Sequence, residues 1–269
     1  MKIRRWLALA VAALAILPLA ACNLKPAASL PTLRDSVLQP GGQLVRGDGR
    51  VVTDRTAIPE NERGYALRIL GVSLRGSSEG DIRLEIAESL APEVVLTTDS
   101  NIAVRAKVEI DEVLGEILID LSRDVFTPSK LTIAVGAPIR RLELNGAWNF
   151  TYDCPSVTAC DVDVNGACNG SFAFGALDSL RLRVNGASNL TLAGAARTAD
   201  LTINGASSIK GFGLRTESAD VTINGAGDCE ITATAALNAA INGVGKIVYD
   251  GSPPVVNRPV RGLGEVRAR

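Results

Sequence analysis

The sequence predicts an all-β protein built as a single-stranded, right-handed parallel β-helix, a solenoid with coils of about 20 residues. The first observation behind this prediction is an Asn-Gly pair that recurs about every 20 residues along the second half of the chain. Because successive coils of a solenoid stack on one another, such a period places equivalent residues in one column. The asparagines of these pairs are Asn145, Asn165, Asn185, Asn204, Asn224 and Asn242.

The second observation is that apolar residues keep fixed positions relative to each asparagine. The residues directly before it are Leu144, Val164, Val184, Ile203, Ile223 and Ile241, and those two positions earlier are Leu142, Val162, Leu182, Leu201, Val221 and Ala239. Residues two apart on a strand point to the same face. We therefore expect these two columns to face a shared interior.

Asn-Gly pairs between strands are also the strongest short signal for β-hairpins, which would build a sandwich or a barrel. The parallel stack is favoured because each column keeps one residue type, and stacked strands lie about 4.8 Å apart. The six asparagines are then expected to form a structural ladder, in which side chains bond along the axis. The residue after each glycine is small, from Ala147 to Val244, which predicts a tight inner corner there.

The first residues have the pattern of an export signal. A basic start is followed by an apolar run and by "LAAC", residues 19–22, which resembles the lipobox of bacterial lipoproteins. We expect a lipoprotein signal peptide over 1–21, lipidation of Cys22, and a lipidated tether over 22–43 that is rich in Pro, Ser and Gly. The alternative is an ordinary cleaved signal that happens to end beside a cysteine. The expected location is the bacterial cell envelope, as an outer-membrane lipoprotein that is periplasmic or surface-exposed.

The rest of the chain, 44–269, is interpreted as one β-helical domain. Residues 44–140 carry strand patterns without a strict period, so we expect irregular coils continuous with the stack; the alternative is a separate small β domain. Regular Asn-Gly coils follow over 141–251, and 252–269 is expected to form a C-terminal cap that covers the last edge.

Several stretches together resemble one known family. The units "INGxG" and "VNGAxN", the opening "VRGDGRVV" and the close "INGVGKIVYDG" with "GLGEV" are similar to the putative auto-transporter adhesin, head GIN domain family, over roughly 44–267. This resemblance implies a β-helical domain that is often exported and lipid-anchored.

The composition excludes several kinds of chemistry. The chain has no histidine, which excludes His-based triads and His-ligated metals. With a net charge of -1 and 4% aromatic residues, no nucleic-acid partner is expected. Asp161 and Asp163 are the nearest candidates for a catalytic carboxylate pair, but arginines in the neighbouring repeats favour a solvated ion-pair face. We therefore expect no catalytic residue, no cofactor and no metal.

The remaining candidates concern cysteines and aromatic residues. Cys154 and Cys160 flank a short insert, and in an exported protein we expect a disulfide between them. Trp148 and Phe150 are interpreted as core residues, the alternative being an exposed ring that stacks on a sugar. Taken together, the sequence predicts a non-enzymatic adhesion or envelope-interaction module, held at the membrane by its lipid, with a surface glycan or protein as its partner. The alternatives are a polysaccharide-active enzyme and a periplasmic sensor or scaffold; the oligomeric state is left open.

Overall fold

The structure, a computed structural model, describes residues 43–71 and 82–269. The predicted signal peptide over 1–21, the lipidation site Cys22 and the tether up to residue 42 lie outside the described residues. The protein is nearly all-β, with 73% strand and 2% helix, and it forms a β-solenoid of about six turns with coils of about 20 residues. The predicted fold class is therefore confirmed. No helix among the described residues is long and apolar enough to cross a membrane.

Short strands make up the first part of the chain and long strands the second part. In the described residues they are, in chain order, β1 (Leu44–Arg46), β2 (Val51–Ala57), β3 (Tyr65–Leu70), β4 (Ile82–Ala87), β5 (Glu93–Asp99), β6 (Lys107–Asp111), β7 (Glu116–Asp120), β8 (Val125–Thr127), β9 (Leu131–Val135), β10 (Ile139–Cys154), β11 (Ala159–Gly186), β12 (Asn189–Ile203), β13 (Ser208–Ile223), β14 (Ala226–Asp250), β15 (Val255–Asn257) and β16 (Val260–Ala268). A short helix, α1 (Ser100–Ala103), follows β5.

The long strands stack in parallel with the register that the repeat predicts. Asn145 on β10 lies beside Asn165 on β11, and Ile203 on β12 lies beside Ile223 on β13. The same parallel pairing joins β13 to β14 and β14 to β16. A meander of hairpins would pair these strands antiparallel, so the parallel ladders exclude the hairpin alternative for the repeats.

The two apolar columns face the interior of the stack. Every aliphatic residue directly before a repeat asparagine, from Leu144 to Ile241, has 0% exposed surface. In the column two positions earlier, from Leu142 to Ala239, no residue has more than 1% exposed surface. Burying one such aliphatic side chain contributes about 1.5–3 kcal/mol, so these columns form the core that holds successive coils together.

The first part joins the same sheet, except for β1 and β8, which form a separate parallel pair, and it is not uniformly parallel. The strands β3 and β4 each pair in parallel with β10, while β7 and β9 extend these ladders in parallel. Three other pairs are antiparallel, namely β2 with β5, β5 with β9 and β6 with β7. The irregular sequence of this part thus forms a mixed sheet that continues directly into the regular coils.

The Asn-Gly corners differ from the prediction in one respect. The alanines after the glycines, such as Ala167 and Ala187, are exposed, so the predicted tight inner corner at this position is wrong. The close approach occurs at the glycine itself. Gly166 has φ of +147°, and a Cβ there would lie 2.0 Å from the carbonyl oxygen of Gly146. Only glycine fits this column, because each glycine rests on the backbone of the previous one.

Candidate interaction face

Two neighbouring outward columns on strands β10 to β13 carry stacked charged side chains, and we call them together the charged face. In the first column the Cα register stacks Arg141, Asp161, Arg181, Asp200 and Asp220, and in the second it stacks Glu143, Asp163, Arg183, Thr202 and Thr222. The pleat of each strand sends these side chains outward because the residues between them fill the apolar columns.

Arg183 binds both acidic residues that were candidates for catalysis. Its Nε donates to Asp163 Oδ1 at 2.6 Å and its Nη2 donates to Asp163 Oδ2 at 3.2 Å, while Nη2 lies 3.5 Å from Asp161 Oδ1. The hydrogen bond to Asp163 raises the pKa of Arg183, which burial alone would lower. Both carboxylates therefore belong to one ion-pair network, as the solvated-face interpretation predicts, although Asp161 Oδ1 accepts no hydrogen bond from the described residues and Asp161 also lines a groove.

A groove of about 530 Å³ runs across the first column of the charged face. Arg140 and Arg141 lie at one end, and Asp220 lies toward the other. Between them Arg181 Nε lies 3.5 Å from Asp200 Oδ2. Within the part of the chain that the structure describes, neither Arg141 nor Asp220 forms an ion pair. The groove is thus positive at one end and negative at the other, with neutralised charges between.

Beside the charged face, the repeat asparagines bond to one another along the axis. Each Nδ2 donates to the Oδ1 of the asparagine one coil earlier, at 3.1, 2.8, 2.8, 2.9 and 2.9 Å in the order Asn165 to Asn145, Asn185 to Asn165, Asn204 to Asn185, Asn224 to Asn204 and Asn242 to Asn224. A second ladder joins Asn169 to Asn149 at 3.4 Å and Asn189 to Asn169 at 3.0 Å. Most amide groups of the ladders are engaged in this way, which suits a structural role better than ligand binding.

The aromatic residues near the start of the repeats belong to the core. Trp148 and Phe150 have 2% and 4% exposed surface, and the rings of Phe150 and Phe172 pack edge to face with centroids 5.1 Å apart. Tyr152 is also buried, and its hydroxyl donates to Ile139 O. The core interpretation is therefore confirmed, and no ring of this cluster is available to stack on a sugar.

The structure leaves Cys154 and Cys160 as free, buried thiols. The Cys160 sulfur lies 3.4 Å from the hydroxyl of Tyr152, and the Cys154 sulfur lies 3.6 Å from Ala137 O. Burial raises the pKa of Cys154 to about 11 and that of Cys160 to about 12. A disulfide between them stays a prediction for the oxidised protein.

The inward side of the Asn-Gly corner holds a column of residues that the sequence analysis did not predict. Its members are Trp148, Cys168, Ser188, Ser207, Gly227 and Gly245, so the buried side chains shrink along the axis. The serine hydroxyls accept backbone hydrogen bonds, from Cys168 N to Ser188 Oγ at 3.1 Å and from Ser188 N to Ser207 Oγ at 3.0 Å. The sequence does contain a signal for this column, because Ser188 and Ser207 occupy the same position of two repeats.

A buried carboxylate in the first part was also missed. Asp99 has 0% exposed surface. Its Oδ1 accepts from Gly49 N at 2.8 Å and from Ser129 Oγ at 2.6 Å, and its Oδ2 accepts from Ser129 N at 2.7 Å. Burial alone would raise the pKa of Asp99, but these hydrogen bonds outweigh it and hold the pKa below its usual value.

Among the described residues, no group of three or more Cys, Asp or Glu side chains is placed to hold a metal ion.

A parallel stack with a buried aliphatic interior and a ladder at its corners defines a β-solenoid. The family comparison assigns it further, because residues 77–253 match the family described as "Putative auto-transporter adhesin, head GIN domain". This match covers more than half of the chain, so the protein belongs to that family.

Solved structures of similar fold come from Bacteroides and Parabacteroides species. A putative adhesin from Bacteroides fragilis has a TM-score of 0.64 at 18% identity, covering 84% of this chain and 100% of its own. A putative lipid binding protein from Parabacteroides distasonis has a TM-score of 0.59 at 18% identity, covering 84% and 99%. A putative adhesin from the same species has a TM-score of 0.54 at 21% identity, covering 84% and 100%. At these identities the likeness shows the fold alone. A comparison with curated proteins gave no match.

Proposed function

We propose that this protein is a non-enzymatic adhesion module of the bacterial cell envelope, and that it contacts a surface glycan or protein through the charged face. The observation that carries the proposal is the arrangement of charges on a rigid stack. Carboxylates near the middle of the face are held by Arg183, while Arg141 and Asp220 offer opposite charges at the two ends of the groove. Membership of an adhesin family supports the same role.

The solenoid suits adhesion because each coil adds area to one continuous, rigid surface. Exposed ion pairs contribute only about 0–1 kcal/mol each to stability, so the network within the face fixes the positions of the charges more than it stabilises the fold. A partner with complementary charges then meets a surface that is already ordered, which lowers the entropic cost of binding.

A polysaccharide-active enzyme is the weaker alternative. Glycoside hydrolysis uses two carboxyl groups, about 5–10 Å apart, that flank the bond to be cleaved. The candidate pair, Asp161 and Asp163, shares one guanidinium instead. Release of reducing ends from a polysaccharide by the purified protein, abolished by Asp161→Asn with Asp163→Asn, would reverse this ranking.

The binding test compares two charge reversals of the same size. Arg141→Glu changes the groove, whereas Lys210→Glu changes an exposed lysine near the start of β13, outside the two columns of the charged face and outside the groove. Cells that lack the protein are complemented with the parent or either variant, and attachment to immobilised surface glycans and envelope proteins is measured. We expect Arg141→Glu to reduce attachment severalfold and Lys210→Glu to leave it near the parent value.

Two results would contradict the adhesion role. One is unchanged attachment and envelope integrity in cells that lack the protein. The other is equal attachment by the two charge-reversal variants, provided that both unfold in urea at the same midpoint as the parent.

We further propose that the protein is exported and anchored through an acyl group on Cys22. Metabolic labelling with a fatty acid should mark the parent, and Cys22→Ala should abolish the label and release the protein from the membrane fraction. Protease treatment of intact cells then separates a surface module, which is cleaved, from a periplasmic scaffold, which is protected.

Export also bears on the cysteine pair. Disulfides persist in oxidising compartments and are rare in the cytosol. In protein taken from the envelope and denatured without reductant, a disulfide should prevent alkylation of Cys154 and Cys160. The same chain made in the cytosol should be alkylated at both cysteines. Alkylation of both in envelope material would show that the pair stays reduced.

A further inference from the structure

The last coil among the described residues presents an open strand edge. The nine-residue strand β16 lies in parallel beside β14, with Val260 over Ile241 and Val266 over Ile247. Among the described strands, none pairs with the other edge of β16. Ile241 and Ile247 are fully buried, but Val260 is 40% exposed. The inward columns thus reach β16 without the covering coil that buries them elsewhere.

This edge keeps the geometry of a coil. Gly262 lies beside Gly243 and has φ of +134°, so the glycine column of the repeats continues into the final strand. Leu263 lies at the corner and is 82% exposed. Unpaired backbone groups next to exposed apolar side chains form a template for another strand.

The opposite end of the described sheet offers no matching surface. There the outlying strands are β6, which runs antiparallel to β7, and β2, which runs antiparallel to β5. Both carry charged side chains, including Asp54 and Arg55 on β2 and Lys107 on β6. Copies that stacked head to tail would have to join unlike ends, whereas two copies of the C-terminal edge can meet around a two-fold axis.

The sequence of β16 is self-complementary about Leu263. If two copies pair antiparallel with the axis at Leu263, then Val260 of each meets Val266 of the other, and Arg261 of each meets Glu265 of the other. Gly262 meets Gly264, so no side chain obstructs the backbone on either side of Leu263. Opposite charges directly across a strand pair stabilise it and like charges destabilise it, so this register is favoured over its neighbours.

We propose that the protein forms a two-fold dimer in which the β16 strands of two copies pair antiparallel, so that the interiors of the two solenoids become continuous. The dimer is independent of the adhesion role. It would place two charged faces on one assembly, and two linked sites bind a repeated surface more tightly than one.

A cysteine at the axis tests the dimer directly. Opposite residues in an antiparallel pair have Cα atoms about 4.5–5.5 Å apart, which is within the range of a disulfide. Under oxidation, the purified full chain with Leu263→Cys should form a covalent dimer on a non-reducing gel. The parent and Val113→Cys, a position on the β6–β7 connection that is even more exposed than Leu263, should stay monomeric on that gel.

Charge reversal tests the register. Arg261→Glu alone, or Glu265→Arg alone, places like charges opposite each other twice in each dimer. We expect each variant to raise the dissociation constant of the dimer about tenfold, as measured by sedimentation. The two changes together restore opposite charges and should restore the parent dissociation constant.

A parent that remains monomeric at every concentration would overturn the proposal, because another segment or partner would then cover β16. A dimer that Leu263→Cys does not crosslink would also overturn the proposal. So would equal increases of the dissociation constant in the single and the double charge variants.

Discussion

The regular coils over 141–251 and the first part over 43–71 and 82–135 are stabilised in different ways. In the regular coils, several positions of the repeat make the same contact again one coil later, as the Asn and Gly columns show. In the first part, contacts are not repeated, and single buried groups such as Asp99 tie distant segments together. Repetition spreads stability over many equal interfaces, whereas irregular structure concentrates it in a few anchors.

The largest expected loss of stability is at a glycine of the stacked column, and it is compared with the loss at a glycine outside the column. Gly166→Ala places a Cβ 2.0 Å from a backbone oxygen at positive φ, so we expect a loss of about 4 kcal/mol in the free energy of unfolding. Gly49→Ala is the matched control, since φ there is +76° and nothing lies within 4 Å of its Cβ. It should cost about 1–2 kcal/mol. Urea unfolding of both variants measures the difference, and equal losses would show that the stacking contact is unimportant.

The next effect concerns the anchor of the first part. Asp99→Ala leaves Gly49 N and the backbone and hydroxyl groups of Ser129 without their acceptor, and buried groups left unpaired cost about 1–3 kcal/mol each. We expect a loss of about 3 kcal/mol in the free energy of unfolding. Hydrogen exchange should show faster opening of β2 and β5 while β11 to β13 keep their protection. Uniformly faster exchange would mean that the first part is not a separate source of stability.

The same carboxylate should make the first part sensitive to acid. Its pKa is lowered in the folded protein, so its contribution is fully present above the unfolded value of about 3.9 and is lost as the pH falls through the folded value. The stability difference between the parent and Asp99→Asn should therefore shrink below about pH 4. A difference that stays constant from pH 6 to pH 2 would contradict the assignment.

The smallest effect compares the middle and the end of the Asn ladder. Asn185 both donates to Asn165 and accepts from Asn204, whereas Asn242 only donates to Asn224, because Arg261 occupies the next place in its column. At about 0.5–1 kcal/mol for each exposed hydrogen bond, Asn185→Ala should cost about twice as much as Asn242→Ala. Thermal unfolding of the two variants gives the ratio, and a larger loss at Asn242 would count against the ladder.

The same contrast explains what the sequence could predict. The period fixes which residues share a column, so the parallel register, the buried Ile203 and Ile223 and the stacked charges could be derived before the structure was known. The hydrogen bonds of Asp99 could not, since Gly49 and Ser129 lie far from it in the chain and no second copy marks their relationship. The antiparallel pairs of the first part were missed for the same reason.

Within the candidate face, the columns predicted which charges would be neighbours but not which atoms would bond. Arg183 reaches Asp163 in its own column and also Asp161 in the other, and this diagonal contact depends on the side-chain conformation. The residues after the glycines were wrongly predicted to face a tight inner corner. A small residue can mark either a crowded interior or an exposed bend, and composition does not distinguish the two.

The graded corner column, from Trp148 to Gly245, gives the stack a direction. Coils that share a backbone register are still not interchangeable units, since the side chain at this corner shrinks from one end of the stack to the other. An engineered extra coil would fit best where the column does not change, between the coils that carry Ser188 and Ser207 or between those that carry Gly227 and Gly245. Lengthening the protein by duplication therefore depends on matching volumes at one corner of the coil.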